Sequence, residues 1–258
     1  MSTLTLPTKV NNNLQLKLVD EFLKSILKGL NVKTQVYGVT SRGFVQITVS
    51  GEDESVAHRY LAEEVGLCPT GLKRIEKFSR IKGYITTLNK SKGELYMDIG
   101  VFSPNAVDAA IPLLHLQAQL ADGRKIALKK FVELFGLCEN LPLFIKVFSI
   151  DMDKNYIEAK LSEKQLTQYR DWTKSLLDRL IILGASHDEV EYALKITGCH
   201  RDVVDIQALG LFEHAVACKL GTDAAGLIPK IGKNLRSATL NVFNSRKIRE
   251  FLGEYFIS

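Results

Sequence analysis

Residues 81–163 constrain the fold of this chain more than any other stretch. They contain five short runs rich in β-branched and aromatic residues, and Gly, Pro, Asn or Asp bounds each run. Such runs are typical of β-strands. Gly83 and Gly100 stand where the strands of a small barrel must bend sharply, and residues 153–155 are typical of a tight hairpin turn. The stretch therefore predicts a small closed barrel of five strands.

Three motifs in this stretch resemble a known barrel. They read GELYMDIG from Gly93, AAIPLLHL from Ala109, and KVFSID from Lys146. Their order is similar to that in the OB-fold of the ribosomal protein S-one type, whose barrels bind single-stranded RNA on one face. A second glycine would be expected before Tyr96, where this chain has Glu94.

The resemblance implies that part of the barrel surface binds RNA. Tyr84 and Tyr96 then occupy positions where OB-folds often carry aromatic side chains that stack on bases, and Lys82, His115 and Lys146 are expected near them. The residues alone leave an alternative open, because alternate residues of barrel strands point inward and either tyrosine could belong to the core. His115 could equally be a structural histidine.

Charge and hydropathy limit the classes of partner. The net charge of +5 permits an anionic partner without requiring one. Residues 1–79 carry 10 basic and 8 acidic side chains, residues 80–163 carry 11 and 10, and residues 164–258 carry 13 and 11. Since no segment is strongly basic, RNA binding must depend on local clusters. No apolar run approaches the roughly 20 residues that span a bilayer, so we expect a cytoplasmic protein with no membrane partner.

Residues 1–79 predict a small α+β domain with the element order βαββα. Its acidic run at 52–54 is expected to lie at the positive end of a helix dipole; a metal site is the alternative. The predicted elements are a strand at 4–6, a helix at 14–30, a hairpin of 32–39 and 44–50, a helix from the acidic run to 65, and a possible last strand at 72–78.

Two basic clusters accompany the predicted barrel, which spans residues 80–163. One joins the barrel to the first domain, where it could contact phosphates or form a solvated linker. The other lies in an insertion at 115–140, which has enough apolar residues for helices and could extend an RNA surface or plug one barrel end. The clusters are Lys73, Arg74, Lys77, Arg80 and Lys82, and Arg124, Lys125, Lys129 and Lys130.

Residues 164–258 predict a connector helix over 164–177, a ferredoxin-like βαββαβ domain and a terminal helix after Phe243. The loop at 219–226 could hold an anion on free backbone N–H groups at the start of a helix. The alternative is that Thr222 or Asp223 caps that helix. The residues of this possible anion-binding site are Lys219, Gly221, Thr222, Lys230 and Lys233.

Motifs for enzymes, cofactors and metals are absent. The chain lacks the nucleotide-binding, zinc-protease and nucleophile-elbow patterns, and its five histidines show no metal-ligand spacing. The four cysteines lie far apart, so we expect reduced, mostly buried thiols without a disulfide frame or a zinc ribbon. We therefore expect a protein that is not an enzyme and that needs no cofactor or metal.

The whole chain also resembles one family. The matching segments, besides the barrel motifs, are LDRLIILGAS from Leu177, TGCHRDVVDI from Thr197 and LGLFEHAVACKLGTDAAGLIPKIG from Leu209. They are similar to an uncharacterised archaeal protein family that places a central OB-fold between two small α+β domains. The resemblance covers nearly all of the chain and implies an α+β multidomain protein, but it implies no activity.

Three functional hypotheses follow. The first is a non-enzymatic RNA-binding protein that acts on the ribosome or another structured RNA, with ribosomal proteins as possible further partners and no DNA. The second is a protein-interaction scaffold within a transcription or RNA-processing assembly. The third is a ligand-responsive protein or an enzyme that uses the 219–226 loop.

Overall fold

A computed structural model describes residues 2–88 and 93–253 of the chain. Their strands form three sheets, so the molecule is an α+β protein of three parts, as the sequence predicts. Two predicted features end outside the described residues. They are the first barrel run, which extends to Asn89, and the terminal helix from residue 254 on.

The N-terminal part has the predicted βαββα order. Its elements are β1 (Ser2–Lys9), α1 (Asn13–Ile26), β2 (Val32–Val39), β3 (Phe44–Gly51), α2 (Glu54–Glu64) and the two-residue strand β4 (Thr70–Gly71). The first three strands pair antiparallel in the order β1-β3-β2. Asn12 caps α1 by accepting a hydrogen bond from the N–H of Gln15 at 2.9 Å. The apolar sides of both helices pack against the sheet.

Two predictions for this part, the helix cap at 52–54 and the last strand at 72–78, differ from the structure. Glu54 lies in the first turn of α2 as expected, but the carboxylate of Asp53 accepts the N–H of Asn31 at 2.7 Å and forms no cap. Residues 72–78 do not form a last strand. Leu72 and Ile75 both enter the barrel core, and a spacing of three suits a helical turn better than a strand.

The central part is a closed barrel of five strands, as predicted. Its elements are β5 (Arg80–Ile85), β6 (Glu94–Ser103), β7 (Val107–Pro112), α3 (Leu113–Leu120), α4 (Leu128–Phe135), β8 (Pro142–Asp151) and β9 (Tyr156–Leu161). Paired neighbours run β5-β6-β7-β9-β8 and return to β5; only β7 and β9 pair in parallel. This is a Greek-key barrel of the OB-fold type. Gly100 bends β6 with a φ of 77°, and a Cβ there would lie 2.5 Å from the Cys68 sulfur.

The insertion between β7 and β8 is helical, as predicted. Phe131 and Phe135 of α4 are fully buried and belong to the barrel core. The insertion therefore completes the barrel core on the side where α4 packs.

The short strand β4 extends the barrel sheet by pairing in parallel with β6.

The C-terminal part has the predicted ferredoxin-like order. Its elements are α5 (Glu163–Lys174), β10 (Arg179–Leu183), α6 (His187–Ile196), β11 (Val203–Ala208), β12 (Glu213–Cys218), α7 (Ala224–Ile231), β13 (Thr239–Phe243) and α8 (Ser245–Leu252). The strands pair antiparallel in the order β11-β12-β10-β13. Ser186 and Glu189 form a capping box at the start of α6.

The barrel and the C-terminal part share one hydrophobic core. Phe135 of α4, Tyr169 and Trp172 of α5, and Phe243 of β13 pack ring against ring, and the Tyr169 and Phe243 rings stack at 5.9 Å between centroids. This packing fixes α5 beside the outward face of β8. All four cysteines are free and three are buried. Within the described residues, each helix is too short or too polar to cross a membrane.

Candidate nucleic-acid interface

Three cationic residues lie side by side across three strands of the barrel. Arg80 of β5 is the antiparallel partner of Lys146 of β8, and Lys146 is the partner of Lys160 of β9. Directly opposed residues project from the same face of a sheet with Cβ atoms about 5 Å apart. The adjacent Ile145 and Leu161 point into the core, so this face is the outward one. We refer to Arg80, Lys146 and Lys160 as the cationic row.

No ion pair neutralises the cationic row within the described residues. Like charges directly opposed on neighbouring strands destabilise a sheet. An anion that binds the row would relieve this repulsion.

A nearby carboxylate is held by other partners. Glu158 lies on the same face of β9 as Lys160, but His115 Nε2 lies 2.8 Å from one of its oxygens and the Ser149 hydroxyl donates to the other at 2.8 Å. Burial acts to raise the pKa of Glu158, but these hydrogen bonds outweigh it, and the pKa is lowered. The carboxylate is therefore charged and directed toward His115 and Ser149.

Two exposed phenylalanines flank the cationic row. Phe78 is 56% exposed and Phe148 is 38% exposed. Lys146 Nζ lies 5.5 Å from the centroid of the Phe78 ring, and Lys160 Nζ lies 5.8 Å from that of Phe148. Lys77 adds a fourth cation, 5.1 Å from the Phe78 ring. Exposed rings beside cations suit single-stranded nucleic acid, because bases stack on the rings while the cations contact phosphates.

We refer to this surface as the cation–aromatic patch, and it consists of six residues: Lys77, Phe78, Arg80, Lys146, Phe148 and Lys160.

Phe78 has an unusual backbone conformation. Its φ is 70°, in the left-handed region that bulky side chains rarely adopt. Its N–H donates to the carbonyl of Val147 at 2.9 Å, and the N–H of Val147 donates to the carbonyl of Ser79 at 3.0 Å. These bonds hold the segment on β8 and keep the aromatic ring in solvent. Backbone strain of this kind concentrates at ligand sites.

Several residues predicted from the sequence meet at the patch. Lys77, Arg80 and Lys146 belong to it, and His115 lies at its edge, with its ring centroid 5.2 Å from that of Phe148. His115 therefore supports Phe148 and holds Glu158. Lys73 and Arg74 are exposed in the helical turn upstream of the patch.

Tyr84 and Lys82 correct the predicted surface. Tyr84 is 1% exposed, and its hydroxyl donates to the carbonyl of Pro7 at 2.9 Å, so it joins the barrel to the N-terminal part and cannot stack on a base. Lys82 is half-buried. Its amine and the carboxylate of Glu213 both lie directly beside Gly210, in the C-terminal part. Burial lowers the pKa of Lys82, although the Glu213 carboxylate opposes this. The N-terminal and C-terminal parts cover this end of β5, which the barrel motifs alone do not predict.

Tyr96 lies on the surface of β6 and β7, which OB-folds commonly use to bind oligonucleotides. In this chain that surface is acidic. The hydroxyls of Tyr96 and Tyr156 both donate to the carboxylate of Glu94, the latter at 2.9 Å. An adjacent depression of about 560 Å³ includes Asp108 and Asn155 in its lining. These carboxylates repel phosphates.

Two cations of the N-terminal part bind this acidic surface. Lys9 Nζ lies 2.7 Å from one oxygen of Asp98, and the Arg42 guanidinium contacts both the other oxygen, at 3.2 Å, and Asp108. Asp98 is 2% exposed. The surface that other OB-folds use for nucleic acid thus holds a neighbouring domain here, whereas the cationic row lies on β5, β8 and β9.

The basic cluster of the insertion contacts α8 instead of the patch. Lys130 Nζ lies 3.1 Å from a carboxylate oxygen of Glu133 and 5.2 Å from the centroid of the Phe251 ring. The Arg124 guanidinium donates to the carbonyl of Phe251 at 3.5 Å. The remaining members of this cluster are exposed: Lys125 and Lys129.

The 219–226 loop provides its own helix cap. The carboxylate of Asp223 accepts the N–H of Ala225 at 3.0 Å, and the N–H of Thr222 donates to the carbonyl of Lys219 at 2.9 Å. Both bonds occupy N–H groups that an anion would need. The other predicted members of this site are exposed, one within the loop and two after it: Gly221, Lys230 and Lys233.

Phe78 and Lys160 belong to the patch although no motif includes them, and Phe148 belongs to it although the motif KVFSID does not single it out as a site residue. A period of two along β8 places Phe144 and Lys146 on its outward face and would have pointed to this surface. At Phe148 the pairing of β8 with β9 shifts register, which keeps this ring outside the regular ladder.

The fold defines a class of three-part α+β protein, with an OB-type barrel between a βαββα part and a ferredoxin-like part. Family models match all three parts: the DUF2110 N-terminal domain at residues 4–70, the DUF2110 central domain at 76–173 and the DUF2110 C-terminal domain at 177–243. The chain therefore belongs to the DUF2110 family. It has no match among curated proteins.

Several solved structures are similar to parts of the chain. An uncharacterized protein from Methanocaldococcus jannaschii is 12% identical, with a TM-score of 0.23, over 34% of this chain and 95% of its own. The a/eIF2alpha–aDim2p–rRNA complex from Pyrococcus horikoshii contains a chain that is 11% identical, with a TM-score of 0.26; the match covers 48% of this chain and 64% of that one. The intact alpha subunit of aIF2 from Pyrococcus abyssi is 10% identical, with a TM-score of 0.26; the match covers 64% of this chain and 97% of that one. All three TM-scores are low.

Proposed function

We propose that this protein is a non-enzymatic RNA-binding protein that holds a single-stranded segment of a structured RNA on the cation–aromatic patch. The observation that supports this most is the cationic row, which lies between two exposed phenylalanines and has no ion-pair partner within the described residues. Neither a catalytic group nor a bound cofactor is needed for this function.

The spacing of the patch favours a single strand. Neighbouring strands lie about 4.8 Å apart, so three cations in one row span roughly 10 Å, which suits adjacent phosphates of one chain. Phe78 and Phe148 can stack only on bases that are splayed out of a helix, as in loops, bulges and ends of folded RNA. Ribosomal RNA or another RNA of translation is the partner we expect, because the barrel motifs resemble those of the ribosomal protein S-one type.

The test compares two variants of equal charge. One replaces Arg80, Lys146 and Lys160 with Gln, and the control replaces three exposed lysines of the N-terminal part with Gln: Lys17, Lys28 and Lys33. Binding of a labelled 10-nucleotide RNA is measured by fluorescence anisotropy at 0.1 M salt, with the matching DNA in parallel.

Each phosphate contact adds about 0.7 to the slope of the logarithm of the association constant against the logarithm of the salt concentration for a single strand, so three contacts add about 2. Because 0.1 M salt lies one decade below 1 M, we expect the row variant to lose about 100-fold in affinity at 0.1 M. The control variant should lose much less. Equal losses in the two variants, or no RNA binding by the unaltered protein, would contradict the proposal. Co-sedimentation with ribosomes, lost in the row variant alone, is the expected result for a ribosomal partner.

A further inference from the structure

A polar groove of about 700 Å³ lies between β8 of the barrel, helix α5 and the edge strand β11 of the C-terminal part. Its volume is in the range of pockets that bind small ligands, and such pockets favour domain interfaces. Its walls include two aromatic side chains, Phe144 and Trp172, and its polar groups come from three elements. These groups include Lys164, Gln168 and Asp171 of α5, Arg179 of β10, and Asp205 and Gln207 of β11.

The groove is continuous with the cation–aromatic patch. Phe144 precedes Lys146 by two residues on β8, so both side chains project from the outward face. The Lys164 amine covers the Phe144 ring at 4.1 Å from its centroid. An RNA strand that lies on the cationic row therefore reaches the mouth of the groove at Phe144.

The groove has the chemistry to bind a base. Asp171 and Asp205 are exposed and form no ion pair or side-chain hydrogen bond within the described part of the chain, so both can accept hydrogen bonds. The lining also holds two cations, the Lys164 amine and the Arg179 guanidinium, so its formal charges balance and it lacks the net positive charge of the cationic row. Carboxylates are the acceptors that proteins use for the amino groups of bases.

Two fixed amides add donors to the same wall. The Trp172 indole N–H donates to the side-chain oxygen of Gln207 at 2.8 Å, and the Gln165 amide donates to the side-chain oxygen of Gln168 at 3.1 Å. These bonds leave the amide nitrogens of Gln207 and Gln168 to donate to a ligand. Donors and acceptors on one wall match the edge of a base that carries both a ring nitrogen and an amino group.

We propose that this groove takes one base of the bound RNA and prefers a base with an exocyclic amino group, that is adenine, cytosine or guanine, over uracil. Uracil presents two carbonyl oxygens on either side of its one N–H donor, and these oxygens repel the carboxylates of Asp171 and Asp205. The inference rests on the proposed function, because the phosphates on the cationic row bring the strand to the groove.

The test uses a 10-nucleotide oligouridylate and three oligonucleotides of equal length that carry one central A, C or G. The unaltered protein should bind at least one substituted oligonucleotide about tenfold more tightly than oligouridylate. In a variant that combines Asp171→Asn with Asp205→Asn, this ratio should fall to about one. Gln168→Ala provides a second variant, and thermal melting confirms that each variant is folded.

The outcomes separate the two proposals. The row variant described above should lose affinity for every oligonucleotide and keep the ratio. If the protein binds RNA but the ratio is one, or survives in both groove variants, the groove inference is wrong and the proposed function stands. If no oligonucleotide binds, the proposed function itself is wrong.

Discussion

Glu213 and His214 are adjacent on β12, and burial shifts their pKa values in opposite directions. Glu213 is 4% exposed, and one of its oxygens has no hydrogen-bond partner among the described residues. Burial raises the pKa of Glu213 to about 7, although the amines of Lys82 and Lys9 oppose this. His214 is 1% exposed, and burial, together with the charge of His187, lowers its pKa to about 4.

The two shifts act oppositely on stability. Glu213 has a usual pKa of 4.5, so between pH 4.5 and 7 the folded protein binds more protons than the unfolded chain, and the free energy of unfolding falls as pH rises. His214 has a usual pKa of 6.5, so between pH 4 and 6.5 the folded protein binds fewer protons, and the free energy of unfolding rises. Each effect amounts to about 3 kcal/mol at about 1.4 kcal/mol per pKa unit. They nearly cancel between pH 4.5 and 6.5.

Urea unfolding from pH 4 to 7.5 tests this balance in Glu213→Gln and His214→Gln. Subtracting the unaltered protein removes the contribution of all other groups. The difference for Glu213→Gln should rise by about 3 kcal/mol between pH 4.5 and 7, and the difference for His214→Gln should fall by about as much between pH 4 and 6.5. Flat difference curves, or curves of the same sign, would refute the reasoning.

Two further substitutions test the contacts between the parts. Tyr84→Phe leaves the carbonyl of Pro7 without its buried donor and should lower the free energy of unfolding by about 1–2 kcal/mol, with RNA affinity unchanged; a loss of RNA affinity would restore Tyr84 to the binding surface. Gly136→Ala places a methyl group 2.5 Å from the Val242 carbonyl at a φ of 60°, and should cost about 3 kcal/mol in urea unfolding. Gly123→Ala is the control, since its φ is 74° but no atom lies within 4 Å, and only the backbone cost of about 1 kcal/mol is expected. Equal costs in the two alanine variants would show that the Val242 contact is unimportant.

Most of the fold could be predicted from local sequence patterns. The barrel strands, the βαββα order and the ferredoxin-like order all follow from apolar periodicity and from turn residues, which act within a few positions of the chain. The error at residues 72–78 has a local cause as well. Leu72 and Ile75 are apolar enough for a strand, but they are buried by the barrel and not by a neighbouring strand.

The candidate site could be predicted only in part, because its composition depends on how the parts pack. Lys77, Arg80 and Lys146 stand out as basic residues near barrel strands, but their alignment with Lys160 depends on strand register. The burial of Tyr84 requires knowledge that the N-terminal part covers the end of β5.

The same holds for the acidic surface around Tyr96. Local sequence shows Asp98 within one barrel motif and Asp108 directly before the next, but not their contact with Arg42, which lies more than fifty positions earlier in the chain. The groove beside α5 likewise joins side chains from elements that are distant in sequence.

The salt dependence of RNA binding tests the central claim most directly. The logarithm of the association constant of a 10-nucleotide RNA is measured against the logarithm of the salt concentration, for the unaltered protein and for the variant with Gln at Arg80, Lys146 and Lys160. Each cation that neutralises a phosphate of a single strand contributes about 0.7 to the slope, so the two slopes should differ by about 2. Equal slopes would show that the cationic row does not contact the phosphates, and would contradict the account.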